Sequence, residues 1–478
     1  METGKWLLLA VLVILTALTA AGCREAEITT ETQTRTTIPP DTEGDAASDS
    51  PAISADGRFV AFVSDATNLV IGSTNGARTI YIKDTQTGVT TRVSSDSAGI
   101  NGNKESDSPA ISADGRFVAF DSFATNLVPG DTGSMCVSTS GTNINCPDVF
   151  IKNLQSGELR LVSASAVGEP GNLESRQPAI SADGRFVAFR SAASNLVPGD
   201  TNGKADVYIK DMQTGAVSRV SINADGMEGD EDCQQPAISA DGRFVAFQTL
   251  SGTLAGDDTN SKVDVFLKDT QTGSLTRVST SSDGSQGDEA SGYTALALSA
   301  DGRFVVFDSG ATNLVPDDAN GKRDVFLKDT QTGATALVSV SVAGVQGAED
   351  SYRAVSVSAD GRFVAFSSDA PNLVPADGNA ANGKTDVFLR DMQTGAISII
   401  STSTGSAVPD MGKSEFLVMS GDGRFVAFSS EAVNLVPGDT NKKTDVFLKD
   451  TRTGVTIRIS TSTADTGPAA GLVITTRD

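Results

Sequence analysis

The chain has 478 residues, a formal net charge of −23 and no histidine, and 38% of its residues are hydrophobic. Such an acidic chain is expected to repel nucleic acid and anionic lipid headgroups. The lack of histidine excludes Ser-His-Asp triads, histidine general bases and histidine metal ligands. The acidity suits the solubility of an exported protein, and cation binding is the alternative explanation.

The first 45 residues predict export and attachment to a membrane. Lys5 precedes an apolar run over residues 6–20, and small residues follow. The segment Ala20-Ala21-Gly22-Cys23 resembles a bacterial lipobox, in which the cysteine becomes the lipidated first residue. We therefore expect a lipoprotein signal peptide over residues 1–22 and a disordered tether, rich in Thr, Glu and Pro, over residues 23–45. Ordinary signal cleavage and a retained transmembrane helix are the alternatives, although the apolar run is short for a bilayer core.

A nine-residue motif, Ser-Ala-Asp-Gly-Arg-Phe-Val-Ala-Phe, occurs five times verbatim and twice with one substitution. The intervals between its copies are 58, 69, 58, 60, 59 and 62 residues. The aspartates of the seven copies are Asp56, Asp114, Asp183, Asp241, Asp301, Asp360 and Asp422. A fixed period of this size indicates an array of one supersecondary unit.

Each repeat contains four strand signals. Pro51-Ala52-Ile53-Ser54 is the first, and a tight Asp-Gly turn joins it to the second, Arg58 to Phe62. In later copies the third runs from Asp264 to Lys268, and the fourth from Thr276 to Ser279 follows a loop with sequence Asp-Thr-Gln-Thr-Gly. The strands are apolar on both faces, which requires cover on both sides of each sheet. The sequence therefore predicts an all-β fold, a seven-bladed β-propeller with four antiparallel strands per blade over residues 46–462, and a β-solenoid is the alternative.

A meander of this kind separates short turns from long loops. The turns between strands one and two and between three and four lie at one end of each blade, and they are tight. The connections between strands two and three, and from strand four to the next blade, lie at the other end and are long, polar and variable. We call this end the long-loop face and expect function there, since loops on a rigid scaffold carry binding.

The motif, followed by Asp-Val-Phe-Leu-Lys-Asp, resembles the TolB-like, WD-like β-propeller repeat of bacterial envelope proteins. The resemblance covers nearly all of residues 46–460. It implies a periplasmic protein-binding propeller. The TolB family also has an N-terminal α/β domain, for which this chain has no room, so the role of TolB in the Tol–Pal system is not expected here.

The loop between strands two and three repeats as Asn-Leu-Val-Pro-Gly-Asp-Thr-Asn-Gly-Lys-x-Asp. Oxygen-bearing side chains recur in it at positions 1, 3 and 7, and such ligands around a glycine suit Ca²⁺. These candidate ligands are Asp200, Asn202 and Asp206; Asp258, Asn260 and Asp264; Asp318, Asn320 and Asp324; and Asp439, Asn441 and Asp445. The alternative is a turn in which Asn and Asp bond their own backbone. No other cofactor is indicated.

Three further features complete the sequence reading. Cys136 and Cys146 lie in the long insertion of blade 2, which is the only large break in the repeat pattern that the sequence shows. Because an exported protein meets an oxidising compartment, we expect a disulfide between these two cysteines. The role of Cys233 is not readable. The arginine of each Asp-Gly-Arg is expected to pair with a neighbouring carboxylate. Both terminal blades have all four strands, so we expect the ring to close by face-to-face packing alone, with residues 471–476 of the tail 463–478 as a clasp strand or as a frayed end.

These features favour a non-catalytic, lipid-anchored propeller that binds envelope proteins as an interaction or scaffold module, touching the membrane only through its anchor. A saccharide- or cell-wall-binding module is the second hypothesis. The scarcity of Trp and Tyr, which have one and four copies, opposes it. A hydrolase or lyase that uses carboxylates is the third, although dozens of acidic residues give no way to choose a pair.

Overall fold

The computed structural model describes residues 41–72, 76–129, 135–137, 143–256, 258–374, 384–405 and 412–463, and only the backbone of residues 135–137 and 143–144. The predicted signal peptide, Cys23, the predicted tether up to residue 40 and the tail 464–478 lie outside the described residues. The rest folds into seven four-stranded antiparallel meanders. The seven-bladed β-propeller predicted from the repeat is therefore confirmed. The described part of the chain contains no helix that is long and apolar enough to cross a membrane.

The strands have the same order in every blade. The innermost strands of blades 1 to 7 are Ser48–Ile53, Ser106–Ile111, Ser175–Ile180, Cys233–Ile238, Ser291–Leu298, Ser351–Val357 and Ser414–Met419. The second strands are Phe59–Ser64, Phe117–Ser122, Phe186–Ser191, Phe244–Thr249, Phe304–Ser309, Phe363–Ser368 and Phe425–Ser430. The third strands are Thr79–Asp84, Asp148–Asn153, Asp206–Asp211, Asp264–Asp269, Asp324–Asp329, Asp386–Asp391 and Asp445–Asp450. The outermost strands are Thr90–Arg92, Leu159–Leu161, Val217–Arg219, Leu275–Arg277, Thr335–Leu337, Ile397–Ile399 and Thr456–Arg458. Blade 2 also carries an inserted hairpin of Met135–Val137 and Asn143–Asn145.

The core of each blade is an aromatic pair. Phe189 on the second strand lies directly opposite Tyr208 on the third, and the ring centroids are 5.9 Å apart. The equivalent pair recurs in every blade at 5.7 to 6.1 Å. Nearly all of these rings are fully buried because the neighbouring blades cover both faces of the sheet. The burial of one such ring stabilises the fold by about 1.5–3 kcal/mol.

The glycine of the motif fits both a turn and a blade contact. Gly184 has φ 75°, and a Cβ there would lie 2.3 Å from Cδ2 of Phe117 in the preceding blade. The same contact joins all seven blades, and Gly57 against Phe425 makes it between blades 1 and 7. Any side chain at these positions would displace the phenylalanine. This packing gives a physical reason why the seven copies of the motif have stayed so alike.

The repeated arginine has the structural role expected of it. Arg185 bonds Asp211 at the end of the third strand, with 2.7 Å between Nη2 and Oδ2, and its guanidinium lies over the ring of Phe186. The same ion pair occurs in blades 1, 4, 5, 6 and 7. Blade 2 has Asn153 in place of the aspartate. The pairing holds the tight turns of one blade together.

At the tight-turn end, a ring of backbone bonds surrounds the central axis. In six of the seven blades, the N–H of the residue before the motif aspartate donates to the carbonyl of its counterpart in the next blade, at 2.8–3.0 Å. These bonds run from Ala55 to Ala113, Ala113 to Ala182, Ala182 to Ala240, Ala240 to Ala300, Ala359 to Gly421, and Gly421 to Ala55. The ring joins the inner strands of neighbouring blades at this end. Propeller blades surround a central channel, and we call the end of the channel on the long-loop face its mouth.

The ring does not close by face-to-face packing alone, and that expectation is wrong. Residues 41–45 fall in the segment for which the sequence predicts a tether, yet Glu43 forms a β-bridge with Thr461. Its neighbours bond the same segment, with 2.9 Å from Asp41 N to the carbonyl of Ser462. Covalent connections between other blades contain the same bridge, for example between Ile222 and Glu228. The N-terminal segment therefore supplies the missing half of the seventh interblade connection.

The side chain of Glu43 strengthens this closure. It accepts hydrogen bonds from Thr440 N at 3.0 Å and from Arg458 Nη1 at 2.7 Å. Burial alone would raise the pKa of Glu43, but these bonds outweigh it and lower that pKa. The proposed clasp over residues 471–476 lies outside the described residues.

Candidate functional site

The asparagines of the four Asp-x-Asn loops connect these loops to the interblade connections through hydrogen bonds. Asn202 Nδ2 donates to the carbonyl of Gly229 at 3.0 Å, while its Oδ1 accepts from the backbone N–H of Lys204 at 2.9 Å. Asn260, Asn320 and Asn441 make the equivalent pairs of bonds. These are the bonds expected of the capped turn that the sequence leaves open as the alternative to a Ca²⁺ loop.

An arginine occupies the place of a cation in three of these loops. The last carboxylate, Asp206 in blade 3, is buried and accepts from Ser221, and Nη1 of Arg219 lies 3.6 Å from it. Arg277 stands 3.1 Å from Asp264 in blade 4. In blade 7, Arg458 lies 3.7 Å from both Asp445 and Asp439. In blades 3 and 4 the first carboxylate of the loop also accepts a hydrogen bond, Asp200 from Tyr208 and Asp258 from Gln286.

Blade 5 differs because Leu337 stands where the other three blades have arginine. Oδ1 of Asp318 is buried there without a hydrogen-bond partner, and burial raises the pKa of Asp324 to about 6. No group of three His, Cys, Asp or Glu side chains within the described ranges is arranged to hold a metal ion. Ca²⁺ binding stays a prediction, and blade 5 is the loop where no cationic side chain competes with it.

The described cysteines differ in their bonding. Cys146 is disulfide-bonded. The backbone of Cys136 pairs with Ile144 in the inserted hairpin, but its side chain lies outside the described residues, so the Cys136–Cys146 bond stays a prediction. Cys233 is free and fully buried, and burial raises the pKa of its thiol to about 12. Such a thiol is inert.

The innermost strands contain a bulge at which the repeats differ in sequence. The register in blade 1 shifts between Asp49 and Ala52, and Ser50 has φ 50°. Every blade has this irregularity. The third residue of the inner strand is serine in blades 1 and 2 and glutamine in blades 3 and 4, whereas blades 5 to 7 have Tyr293, Arg353 and Phe416. The inner strands run from the interblade connection towards the tight turn. The bulges therefore lie near the mouth of the channel, on the long-loop face.

Two of these strands are also longer than the others. The innermost strand has eight residues in blade 5 and seven in blade 6, against six in every other blade. The strand ends are nevertheless anchored alike, since Ser291 pairs with Ser309 and Leu298 with Val305 as in the shorter strands. The additional residues must leave the ladder between the anchors.

Blades 5 to 7 carry a cluster of rings at this level. We call Tyr293, Tyr352, Arg353 and Phe416 the aromatic crescent. Tyr293 and Phe416 are 60% and 51% exposed, whereas the aromatic pairs of the blades are buried. Because Arg353 N donates to Oγ1 of Thr294 at 3.2 Å, the bulges of blades 5 and 6 are adjacent. The crescent breaks the seven-fold pattern on one side of the mouth.

Ion pairs brace the crescent. The Arg353 guanidinium lies 4.8 Å from the ring centroid of Tyr352, and its Nη1 is 2.6 Å from Oε1 of Glu415 in blade 7. Arg323 lies 6.0 Å from the Tyr293 ring and bonds the buried Asp308. The two tyrosine rings therefore each pack against an arginine that is itself paired with an acid.

The other side of the mouth is polar. Arg78 joins blades 1 and 2, with 2.5 Å from Nη2 to Asp49 and 3.0 Å from Nε to Asp107. Beneath it, Asp121 is buried and accepts from the N–H of Gln177 at 3.2 Å. Burial raises the pKa of Asp121 to about 6.

The sequence reading missed the crescent. It took the cysteine insertion of blade 2 as the only large break, whereas the structure places a second one in the inner strands of blades 5 to 7. The signal was present, because Ser-Gly-Tyr-Thr, Ser-Tyr-Arg and Ser-Glu-Phe stand where the first four blades have a polar pair followed by Pro-Ala-Ile.

Comparisons with known proteins agree with the fold. No protein-family profile matches the chain, and no curated protein matches it. The chain is similar to TolB from Acinetobacter baumannii at 19% identity, over 61% of this chain and 53% of that one, with a TM-score of 0.35. The match thus spans about half of the TolB chain.

Two further structures are similar over more of this chain. The β-propeller domain of the Trilobed protease from Pyrococcus furiosus is 11% identical over 87% of this chain and 97% of that one, with a TM-score of 0.51. The Pyrococcus horikoshii acylaminoacyl peptidase is 11% identical over 87% of this chain and 54% of that one, with a TM-score of 0.50. At these identities the likeness concerns the fold. The chain folds as a seven-bladed β-propeller, and the solved structures similar to it include peptidase propellers.

Proposed function

We propose that the protein is an exported, lipid-anchored and non-catalytic binding propeller of the bacterial envelope, which takes its ligand at the channel mouth on the long-loop face. One observation carries this proposal. The seven repeats share the same glycine and phenylalanine where blades pack on one another, whereas the third residue of the inner strand is serine or glutamine in blades 1 to 4 and Tyr293, Arg353 or Phe416 in blades 5 to 7. Packing explains the identical positions, so the differing ones are those free to serve recognition.

The acidic residues support binding over catalysis. The aspartates that end the third strands are paired with arginine in six blades, and the last aspartate of each of the four Asp-x-Asn loops accepts a hydrogen bond from a serine. Such repeated contacts stabilise blades, whereas glycoside chemistry needs one pair of carboxylates at a set distance across a substrate. The chain also lacks histidine as a general base.

An envelope protein is the ligand class that the TolB-like resemblance supports. Export and the anchor at Cys23 rest on the lipobox. A tether of residues 23–40 would span about 60 Å when fully extended, which lets the propeller reach partners well away from the membrane surface. Electrostatic repulsion from anionic headgroups would keep the acidic propeller itself off that surface.

A pull-down from the native envelope tests this function. The mature domain is immobilised through its C-terminus, and three forms are compared: wild type, the double variant Tyr293→Ala/Phe416→Ala, and Gln271→Ala in a tight turn. We expect the wild type and Gln271→Ala to retain the same material, and the double variant to lose it. Equal retention by all three would place binding elsewhere.

A saccharide is the second candidate ligand, and a specific observation favours it. The few tyrosines of the chain were the objection to this class. Two of them, Tyr81 and Tyr208, are buried in blade cores, and the other two, Tyr293 and Tyr352, both lie in the crescent. The solvent-facing tyrosines are therefore concentrated at one place.

A further inference from the structure

We infer that the aromatic crescent is a binding site for a neutral glycan, which lies across the inner strands of blades 5 to 7. This inference rests on the proposed binding function and narrows its ligand. It commits to uncharged sugar rings as the ligand chemistry, and a polypeptide at the same place is the competing outcome.

The rings provide the stacking surface. Tyr293 and Phe416 belong to blades 5 and 7, and Tyr352 and Arg353 lie on the strand between them. The inner strands of neighbouring blades are in contact, so the rings occupy successive positions along an arc. The C–H face of a sugar ring is apolar and packs on the face of an aromatic ring, while its hydroxyls need polar partners around the edge. Phe416 is 51% exposed, so burial in the core does not account for a phenylalanine at this position.

Polar groups that suit hydroxyls stand beside the rings. Gln235 lies next to Tyr293 and donates to its carbonyl at 3.4 Å. Gln177, one blade further, accepts from the N–H of Gln235 at 3.1 Å. Amide and guanidinium groups are planar, so they can bond two adjacent hydroxyls at once. The mouth thus offers a stacking side and a hydrogen-bonding side.

The charges favour a neutral ligand. Arg353 is paired with Glu415, and Arg323 is paired with Asp308. Both arginines are engaged in ion pairs, and Glu415 is shared between Arg353 and Lys413. The net charge of −23 opposes the approach of an anionic polysaccharide. A cationic partner would find no unpaired acid within the crescent itself.

The site is held in shape before binding. Each tyrosine lies on an arginine that is fixed by an acid, and the backbone bulges are bonded across the blade boundary between Arg353 and Thr294. A preformed stacking surface reduces the ordering cost of binding. A low ordering cost favours the binding of a flexible and strongly hydrated glycan.

Tyrosine fluorescence tests the inference directly. Trp6 is the only tryptophan and falls in the predicted signal peptide, so a domain that starts at residue 24 reports through its tyrosines. The domain is titrated with chito-, cello- and malto-oligosaccharides as neutral probes and with alginate oligosaccharides as the anionic probe. We expect a saturable change with at least one neutral series and none with alginate.

Variants then locate the site. Tyr293→Ala and Phe416→Ala should each weaken binding by about tenfold, and Tyr293→Phe, which keeps the ring, should retain most of it. Val167→Ala is the control, since Val167 is 84% exposed on the connection between blades 2 and 3, away from the crescent blades 5 to 7. It should bind as the wild type does. Circular dichroism confirms that each variant is folded.

The outcomes separate this inference from the proposed function. Binding of alginate alone, binding of no probe, or neutral binding that survives Tyr293→Ala/Phe416→Ala would each overturn the glycan inference. If the double variant nevertheless loses an envelope protein in the pull-down, the binding function stands with a polypeptide ligand. If the wild type retains neither a glycan nor a protein, both proposals fall.

Discussion

The substitution Gly184→Ala tests the contact on which the ring of blades depends. At φ 75°, an L-residue costs about 1–2 kcal/mol. The new Cβ would also lie 2.3 Å from Cδ2 of Phe117, and overpacking of this kind costs about 1–3 kcal/mol. We therefore expect the free energy of unfolding to fall by about 2–5 kcal/mol.

A matched control separates the two costs. Gly199 has φ 81°, and a Cβ there would meet nothing within 4 Å, so Gly199→Ala should cost only the conformational part, about 1–2 kcal/mol. The assay is urea unfolding at 25 °C, followed by circular dichroism. When Phe117→Ala is combined with Gly184→Ala, the added cost of the alanine at position 184 should fall to the Gly199→Ala value. Equal costs for Gly184→Ala and Gly199→Ala in the wild-type background would refute the proposed interlock.

Four further predictions follow from the structure. Glu43→Gln should cost about 1–2 kcal/mol and speed hydrogen exchange in residues 41–46, whereas Glu228→Gln, which makes the same contact within a continuous connection, should leave exchange at the ring seam unchanged. Cys23→Ser should move the protein from the membrane to the soluble fraction, and unchanged fractionation would contradict the lipobox. Calorimetry should detect Ca²⁺ binding that Asp318→Asn/Asp324→Asn abolishes, and the absence of heat and of any shift in melting temperature would leave the loops as capped turns. Asp121, whose folded pKa of about 6 exceeds its ordinary value of 3.8, keeps its proton in the folded state at pH 5, so its contribution to stability is present below about pH 4 and is lost as the pH rises through 6. Asp121→Asn should remove about 3 kcal/mol of that decline between pH 4 and 7, as measured by urea unfolding, and an unchanged pH profile would contradict the raised pKa.

The fold could be predicted because its determinants are local and repeated. The Asp-Gly turn, the Phe-Val-Ala-Phe strand and the Asp-Val-Phe-Leu-Lys strand each specify a neighbour within one repeat, and seven copies leave little freedom in how they assemble. The reason for the invariant glycine could not be read from the chain, since Gly184 meets Phe117 across a blade boundary.

The closure of the ring could not be predicted for a related reason. Glu43 contacts Thr440, which is 397 residues away, and nothing local marks a short acidic segment as half of a missing connection. The Asp-x-Asn loops were visible in the sequence, but whether an arginine lies beside their carboxylates depends on the outermost strand of the same blade. Arg219 fills that position in blade 3, and Leu337 leaves it without a charge in blade 5.

The crescent was missed because short inner strands resemble core segments. Tyr293 and Phe416 stand among apolar residues, and period-two alternation places one of every two such residues inside. The bulges cancel this alternation, because a shift in register turns the following side chains to the other face. The residue pairs at the two ends of each inner strand, which only the structure shows, reveal which residues between them are unpaired.

Hydrogen exchange with and without ligand tests the central claim most directly. The domain from residue 24 onwards is measured alone, with a saturating neutral oligosaccharide, and with the envelope material that the wild type retains. The account predicts slowed exchange in the inner strands Ser291–Leu298, Ser351–Val357 and Ser414–Met419, with the tight turns unchanged. Protection confined to the tight-turn end or to the outermost strands, with the mouth unaffected, would contradict it.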